Sequence, residues 1–171
     1  MNLPISIRQE TLEDIQVIAE VTEKAFKNHP FSRQTEQFII AALRGNGALS
    51  LSLVAEYKGA VIGHIAFSPI TISDGTEKWY GIGPVSVCPL YQKQGVGSAL
   101  IREGLTQIRS LGAVGCALVG DPVFYKRFGF TNSTNLTHEG IPQEFFLVQQ
   151  FTHEKSPEGN VTFNRGFMAN E

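Results

Sequence analysis

The stretch Val85–Leu100 constrains the fold of this chain more than any other. Val85, Ser86 and Val87 read as the end of a strand that Pro89 stops, and the residues from Ser98 onward read as a helix. Between them lies a loop carrying Gly95 and Gly97. A loop of this kind leaves backbone N–H groups unpaired at a helix N-terminus, where the helix dipole adds partial positive charge. The combination is a site for a phosphate or pyrophosphate group. The two glycines also fit a plainer role, a tight turn with close helix–sheet packing. The surroundings favour the phosphate site. Gln92 is placed to brace the loop through its side-chain amide, and Gln94, Gly95, Val96, Gly97 and Ser98 offer consecutive donors.

The flanking sequence predicts a mixed α/β sheet. Residues 5–8 alternate as a first strand, and Thr11 with Asp14 forms a capping-box pattern at a helix start. Leu12, Ile15, Ile18, Ala19, Thr22, Ala25 and Phe26 then recur at helical spacing. His29–Pro30 ends that helix, and Ser32 is the expected cap of a second one running to Arg44. Three strands follow at hairpin spacing: one around Leu49–Ala55, one from Val61 to Ile72, and one from Trp79 to Val87. Their short connections predict antiparallel pairing. The helix after the glycine loop buries Leu100, Ile101, Gly104, Leu105, Ile108 and Leu111, and Gly112 ends it. Val114–Val119 is an apolar run after a helical crossover, so it is expected parallel to Trp79–Val87. Pro122 opens a short helix that ends near Gly129, and residues 145–151 and 161–167 read as late strands.

Composition excludes several classes. A chain of 171 residues with 42% hydrophobic and 18% charged content is expected to form one globular domain, 1–171, with a C-terminal strand extension over about 143–168. A net charge of −2 gives no electrostatic pull toward nucleic acid or an anionic membrane. No apolar run approaches the ~18 residues of a bilayer span, and no signal peptide is evident. Cys88 and Cys116 form no CxxC pair, and His29, His64, His138 and His153 show no metal-ligand spacing. A cytoplasmic protein without metal is expected. The three glycosylation-like triplets beginning at Asn132, Asn135 and Asn160 are then coincidental.

A dinucleotide fold competes for the glycine loop. Gly95-Val96-Gly97 begins a GxGxxG pattern, but Leu100 occupies the third glycine position. Seven residues separate Val87 from Gly95, where a Rossmann loop turns at once, and the antiparallel meander upstream does not belong to that fold. Asp121 at a later strand end is the one feature in its favour.

The pattern Gln92-x-x-Gly95-x-Gly97 after Val85–Pro89 resembles motif A of the GNAT superfamily of acetyl-CoA-dependent N-acetyltransferases. The segment Phe124–Phe130, with Tyr125 followed by Phe128-Gly129-Phe130, is a second match. The strand Val61–Pro69, the segment Gly120–Pro122 and the tail from Gly159 to Phe167 look like the YhbS-type branch, so the resemblance covers nearly the whole chain. It implies a mostly antiparallel sheet whose central parallel pair splays apart, with helices on both faces. Pantetheine would fill the splay as an extra strand against the backbone of Val85, Ser86 and Val87, and residues Gln92, Lys93, Gln94, Gly95, Val96, Gly97 and Ser98 would hold the pyrophosphate. Gly81, Gly83 and Pro84 are compatible with a kinked strand there. A backbone N–H near Val87 would polarise the thioester carbonyl.

The resemblance also assigns side-chain roles. Tyr125 is the expected general acid for the departing CoA thiolate, because a phenol with a pKa of about 10 is protonated at neutral pH. Its alternative is simple aromatic packing beside Phe124 and Phe128. The strands Trp79–Val87 and Val114–Val119 hold no acid to serve as base, which leaves Glu56 and His64 as candidates, alongside a water relay or an acceptor that arrives neutral. Asp121 stands where relatives place a residue contacting pantetheine, and Lys93, Lys126 and Arg127 are candidates for the CoA phosphates or plain surface charge. The expected activity is acetyl transfer from acetyl-CoA to a primary amine by direct attack in a ternary complex. A catalytically silent CoA-ester-binding or sensor module is the alternative. Sequence leaves open the acceptor and the choice between monomer and homodimer.

Overall fold

The computed structural model describes residues 2–171. A seven-stranded sheet runs through the molecule in the order β1-β2-β3-β5-β6-β9-β7. These strands are β1 (Ser6–Gln9), β2 (Leu51–Tyr57), β3 (Ala60–Pro69), β5 (Trp79–Val87), β6 (Gly115–Val119), β7 (Thr131–Asn132) and β9 (Phe146–Gln150). A smaller sheet, β4-β10-β8, joins Thr71–Ile72 (β4), Leu136–Thr137 (β8) and Gly159–Thr162 (β10). The helices are α1 (Ile15–Phe26), α2 (Glu36–Gly45), α3 (Val96–Ser110) and α4 (Pro122–Lys126). The meander β2-β3-β5 is antiparallel, and β5 pairs parallel with β6, as the connection lengths predict.

Alternation along β2 sets the two faces. Leu53 and Ala55 enter the core beneath α3 with Leu100, Ile101 and Ile108, while Val54 between them meets Ile18 of α1 and Ile40 of α2. Helices therefore cover opposite faces of the sheet. Each fully buried aliphatic side chain of α3 contributes roughly 1.5–3 kcal/mol.

Several local expectations are corrected. The Thr11–Asp14 capping box is present, but it starts a 3₁₀ turn, and Leu12 is 87% exposed. The second helix begins at Glu36 with Thr35 in the N-cap position and no side-chain cap, while Ser32 lies outside it, accepting from the Gln34 N–H and donating to the Glu36 carboxylate. Leu111 lies past the buried face of α3 and is exposed. The strand expected to reach Ile72 breaks after Pro69, and residues 71–72 enter the small sheet. The last strand ends at Thr162, and Arg165–Met168 form a 3₁₀ turn from which Phe167 packs on Leu43 and Ala48.

A buried polar chain runs under α1 and α2. Arg44 donates twice to Glu10, at 3.0 and 2.9 Å, and the Ser52 hydroxyl also donates to Glu10. Ser52 Oγ lies 2.7 Å from His64 Nε2. The single hydroxyl proton is committed to the carboxylate, so hydrogen-bond accounting assigns His64 the Nε2–H tautomer, donating to Ser52. His64 Nδ1 is then a lone pair without a partner among the described residues. Burial pushes the His64 pKa down to about 4, with Glu10 opposing and Arg44 reinforcing the shift, so the ring is neutral at pH 7.

This makes stability pH-dependent in a defined window. Below about pH 6.5 the unfolded chain binds a proton at His64 that the folded chain refuses until about pH 4. Stability contributed by the neutral ring is present above 6.5 and drains at up to about 1.4 kcal/mol per pH unit as pH falls through the window. Urea unfolding of the native chain and of His64→Gln between pH 7 and 4 measures this: the native profile is steeper. Parallel profiles would contradict it.

Candidate active site

The site grows from a defect in β5. Between Ile82, opposite Phe67, and Val85, opposite Ile65, two residues of β5 face the single Ala66 of β3. Those two are Gly83, at φ 133°, and Pro84, joined by a cis peptide. The extra residue inverts the alternation: Tyr80 and Ile82 face the α3 core before it, Val85 and Val87 after it. Parallel pairing with β6 is confined to Trp79–Gly81 against Gly115–Ala117. Beyond that point β5 stays with β3 and β6 stays with β9, so a wedge-shaped gap opens between them.

The β5 backbone is aimed at this gap. Cys88 N–H donates to Ile62 C=O at 2.8 Å, which makes residues 62 and 88 a hydrogen-bonded pair. Antiparallel alternation then makes 64/86 bonded and leaves 63/87 and 65/85 unbonded to each other. The N–H and C=O groups of Val85 and Val87 consequently point away from β3, toward the gap. Ser86 points to the opposite side, where its hydroxyl donates to Thr22 Oγ1 of α1 at 3.3 Å.

At the open end of β5 the glycine loop leads into α3. The Gln92 side-chain amide donates to Val87 C=O at 2.9 Å, the brace expected from sequence, and Gln94 Nε2 reaches Leu90 C=O at 3.2 Å. Lys93 and Gly95 take left-handed conformations at φ 62° and 86°. Ala99 N–H is the first to close a turn, onto Gly95 C=O. The N–H groups of Gly95, Val96, Gly97 and Ser98 have no acceptor among the described residues. Four donors and the positive end of a 15-residue helix thus converge beside the gap. Lys93 is exposed there.

Tyr125 lies on α4, the short helix that follows β6, the strand on the far side of the gap from β5. Its ring sits edge-on to Phe124 and Phe130, with centroids 5.0 and 6.0 Å away, and presses on Gly120. A methyl group at Gly120 would meet Tyr125 Cε2 at 2.5 Å, so only glycine admits the ring in this position. The hydroxyl makes no hydrogen bond among the described residues and is not sealed from solvent. Burial of the ring, with the Asp121 charge adding, pushes its pKa up to about 12. Asp121 itself caps α4, accepting from Val123 N–H at 2.9 Å. Lys126 and Arg127 are exposed, and the Arg127 guanidinium lies 4.9 Å from the Phe124 ring centre.

Neither candidate base is open to the gap. Glu56 is on β2, two strands from β5, and is ion-paired with Arg8. Arg8 also holds Asp14, whose carboxyl is kept well below the usual range. His64 is opposite Ser86 but fully buried and neutral. Sequence reasoning missed the Glu10–Ser52–His64 chain, since its members are 42 and 12 residues apart and their types carry no local signature. Among the described residues no cluster of His, Cys, Asp and Glu is suited to a metal, and no helix is long and apolar enough to cross a membrane.

Known proteins share this fold. Residues 13–130 match the family model described as the acetyltransferase (GNAT) family. A GNAT family acetyltransferase from Brucella melitensis, solved in complex with acetyl-CoA, superposes with a TM-score of 0.85 at 45% identity, covering 95% of this chain and 97% of that one. Escherichia coli YhbS, solved with CoA, gives a TM-score of 0.89 at 29% identity over 98% of this chain and 94% of that one. In sequence, YhbS of Escherichia coli strain K12, described as an uncharacterized N-acetyltransferase, is 36% identical over 107 residues, 62% of this chain. The match spans 64% of the length of that curated relative. On the family match and the likeness to the Brucella protein, this chain belongs to the GNAT family of acetyltransferases.

Proposed function

We propose that this chain, acting as one domain in the cytoplasm, moves the acetyl group of acetyl-CoA to a primary amine by direct attack in a ternary complex. One observation carries the reading: β5 and β6 part beyond Gly81 while the β5 backbone faces the gap and unpaired loop N–H groups stand at its end. The acetyl-CoA recorded with the Brucella relative supports the same assignment. Free Cys88 and Cys116 suit a reducing compartment.

Acetyl-CoA supplies a reactive thioester, and the chain supplies the rest. Val85 and Val87 pair with the pantetheine amides as a missing strand would. A Val87-side N–H stabilises negative charge on the thioester oxygen. Gly95–Ser98 hold the pyrophosphate, helped by Lys93. The amine attacks as the neutral free base, and its N–H proton leaves through water. As the C–S bond breaks, Tyr125 donates its proton to the departing thiolate, and the tyrosinate is reprotonated from that water. The Tyr125 pKa, pushed up to about 12 in the free protein, keeps the phenol protonated across the working range, so Tyr125 imposes no alkaline fall in kcat/KM near neutral pH.

Two substitutions test the acid. Tyr125→Phe keeps the ring packing and is expected to lower kcat by about 10²–10⁴-fold with KM for acetyl-CoA nearly unchanged. Gly120→Ala keeps the phenol but displaces its ring, and is expected to lower kcat while CoA still binds. Full turnover in Tyr125→Phe would remove the assignment. Glu56→Gln is expected to retain kcat within a few-fold, because its carboxylate is committed to Arg8. A collapse of kcat without loss of folding would instead make Glu56 the base.

A silent CoA-binding module is the second reading, favoured by the commitment of Glu56 to Arg8 and the complete burial of His64, which leave neither candidate base open to the gap. Thiol release from acetyl-CoA across polyamines, amino acids, aminoglycosides and peptides separates the two. Amine-dependent release supports transfer; CoA binding with none across the panel supports the module.

A further inference from the structure

The loop beside the gap is buttressed by residues 2–5. Leu3 N–H donates to Gln94 C=O at 3.2 Å, bridging 91 positions of sequence. Asn2 occupies the space where a side chain at Gly95 would stand: a methyl group there would lie 2.7 Å from Asn2 Cγ. Leu3 and Ile5 pack against the core that contains Val96, the first residue of α3. The loop needs support, because Lys93 bears a side chain in a left-handed conformation at φ 62° that L-residues disfavour. Gly95 is constrained twice, by its φ of 86° and by Asn2 against its Cα.

We propose that residues 2–5 are a positioning element for the pyrophosphate loop: they hold the N–H groups of Gly95–Ser98 in their anion-binding arrangement before acetyl-CoA arrives. This rests on the reading of the loop as the acetyl-CoA site. The segment touches no reacting atom in this account. It acts by keeping the loop in one conformation, so that binding does not have to select it from several. Coupling of this kind is reciprocal: whatever the segment does for ligand affinity, ligand must do for the order of the segment.

The test pairs two substitutions with amide exchange. Leu3→Pro removes the N–H that holds Gln94, whereas Leu3→Ala keeps it and trims only the packing. Titration calorimetry with CoA is expected to show Kd raised about five-fold in Leu3→Pro, the loss of one hydrogen bond, and near-native Kd in Leu3→Ala. In turnover, KM for acetyl-CoA follows Kd while kcat at saturation is unchanged. In the native chain, hydrogen exchange followed by NMR is expected to slow at the Leu3 amide on adding CoA, a change that a merely structural contact would not show. Unchanged Kd in a folded Leu3→Pro chain, or Leu3 exchange indifferent to CoA while the Gly95–Ser98 amides become protected, overturns the proposal and leaves the CoA site intact. Failure of the native chain to bind CoA overturns both.

Discussion

Two residues of β5 facing one of β3 are the constraint on which the site depends. Gly83 and Pro84 opposite Ala66 do three things at once. They reverse which side chains enter the α3 core, they turn the Val85 and Val87 backbone outward, and they separate β5 from β6 after only three parallel pairs. A regular strand would have zipped against β6 along its length and left no backbone edge free. Here the free edge lies inside the sheet, between β5 and β6, with the unpaired N–H groups of the α3 loop following at its end.

The rest of the architecture keeps that edge in place. On one face α3 packs Leu100, Ile101 and Ile108 into the sheet, fixing the helix N-terminus at the mouth of the gap. On the other, Thr22 of α1 takes the Ser86 hydroxyl, and the Arg44–Glu10–Ser52–His64 chain ties α2 to β2 and β3 beside it. Charge is thus neutralised stepwise from the half-buried Arg44 inward, ending on a neutral imidazole next to the strand that flanks the gap. Tyr125 is placed by close packing alone, its ring against the bare Cα of Gly120 and its hydroxyl left free to donate.

What could be read from the sequence was what short-range physics encodes. The Trp79–Val87 strand, the glycine loop with its Gln92 brace, the start of α3 and the parallel return through Val114–Val119 follow from alternation, helical period and crossover handedness, and each agrees with the structure within a residue or two. The elements misjudged depend on distant partners. Two-residue strands such as β7 and β8 have no period to detect, and Leu12 and Leu111 fit a helical pattern but fall beyond the covered face. Ser32 does not cap the second helix, because the helix starts only at Glu36 and the Ser32 oxygen accepts from the Gln34 N–H in the preceding turn. The polar chain to His64 and the contact of Asn2 with Gly95 join residues remote in sequence, and no local pattern announces either.

The most direct measurement is amide-resolved hydrogen exchange of the β5 backbone with and without CoA. If CoA lies in the gap as an added strand, the Val85 and Val87 amides slow markedly while Ser86, already paired with His64, changes little. Saturable CoA binding that leaves Val85 and Val87 exchanging as in the free protein would contradict the account, because the ligand would then be held somewhere other than the gap that β5 opens.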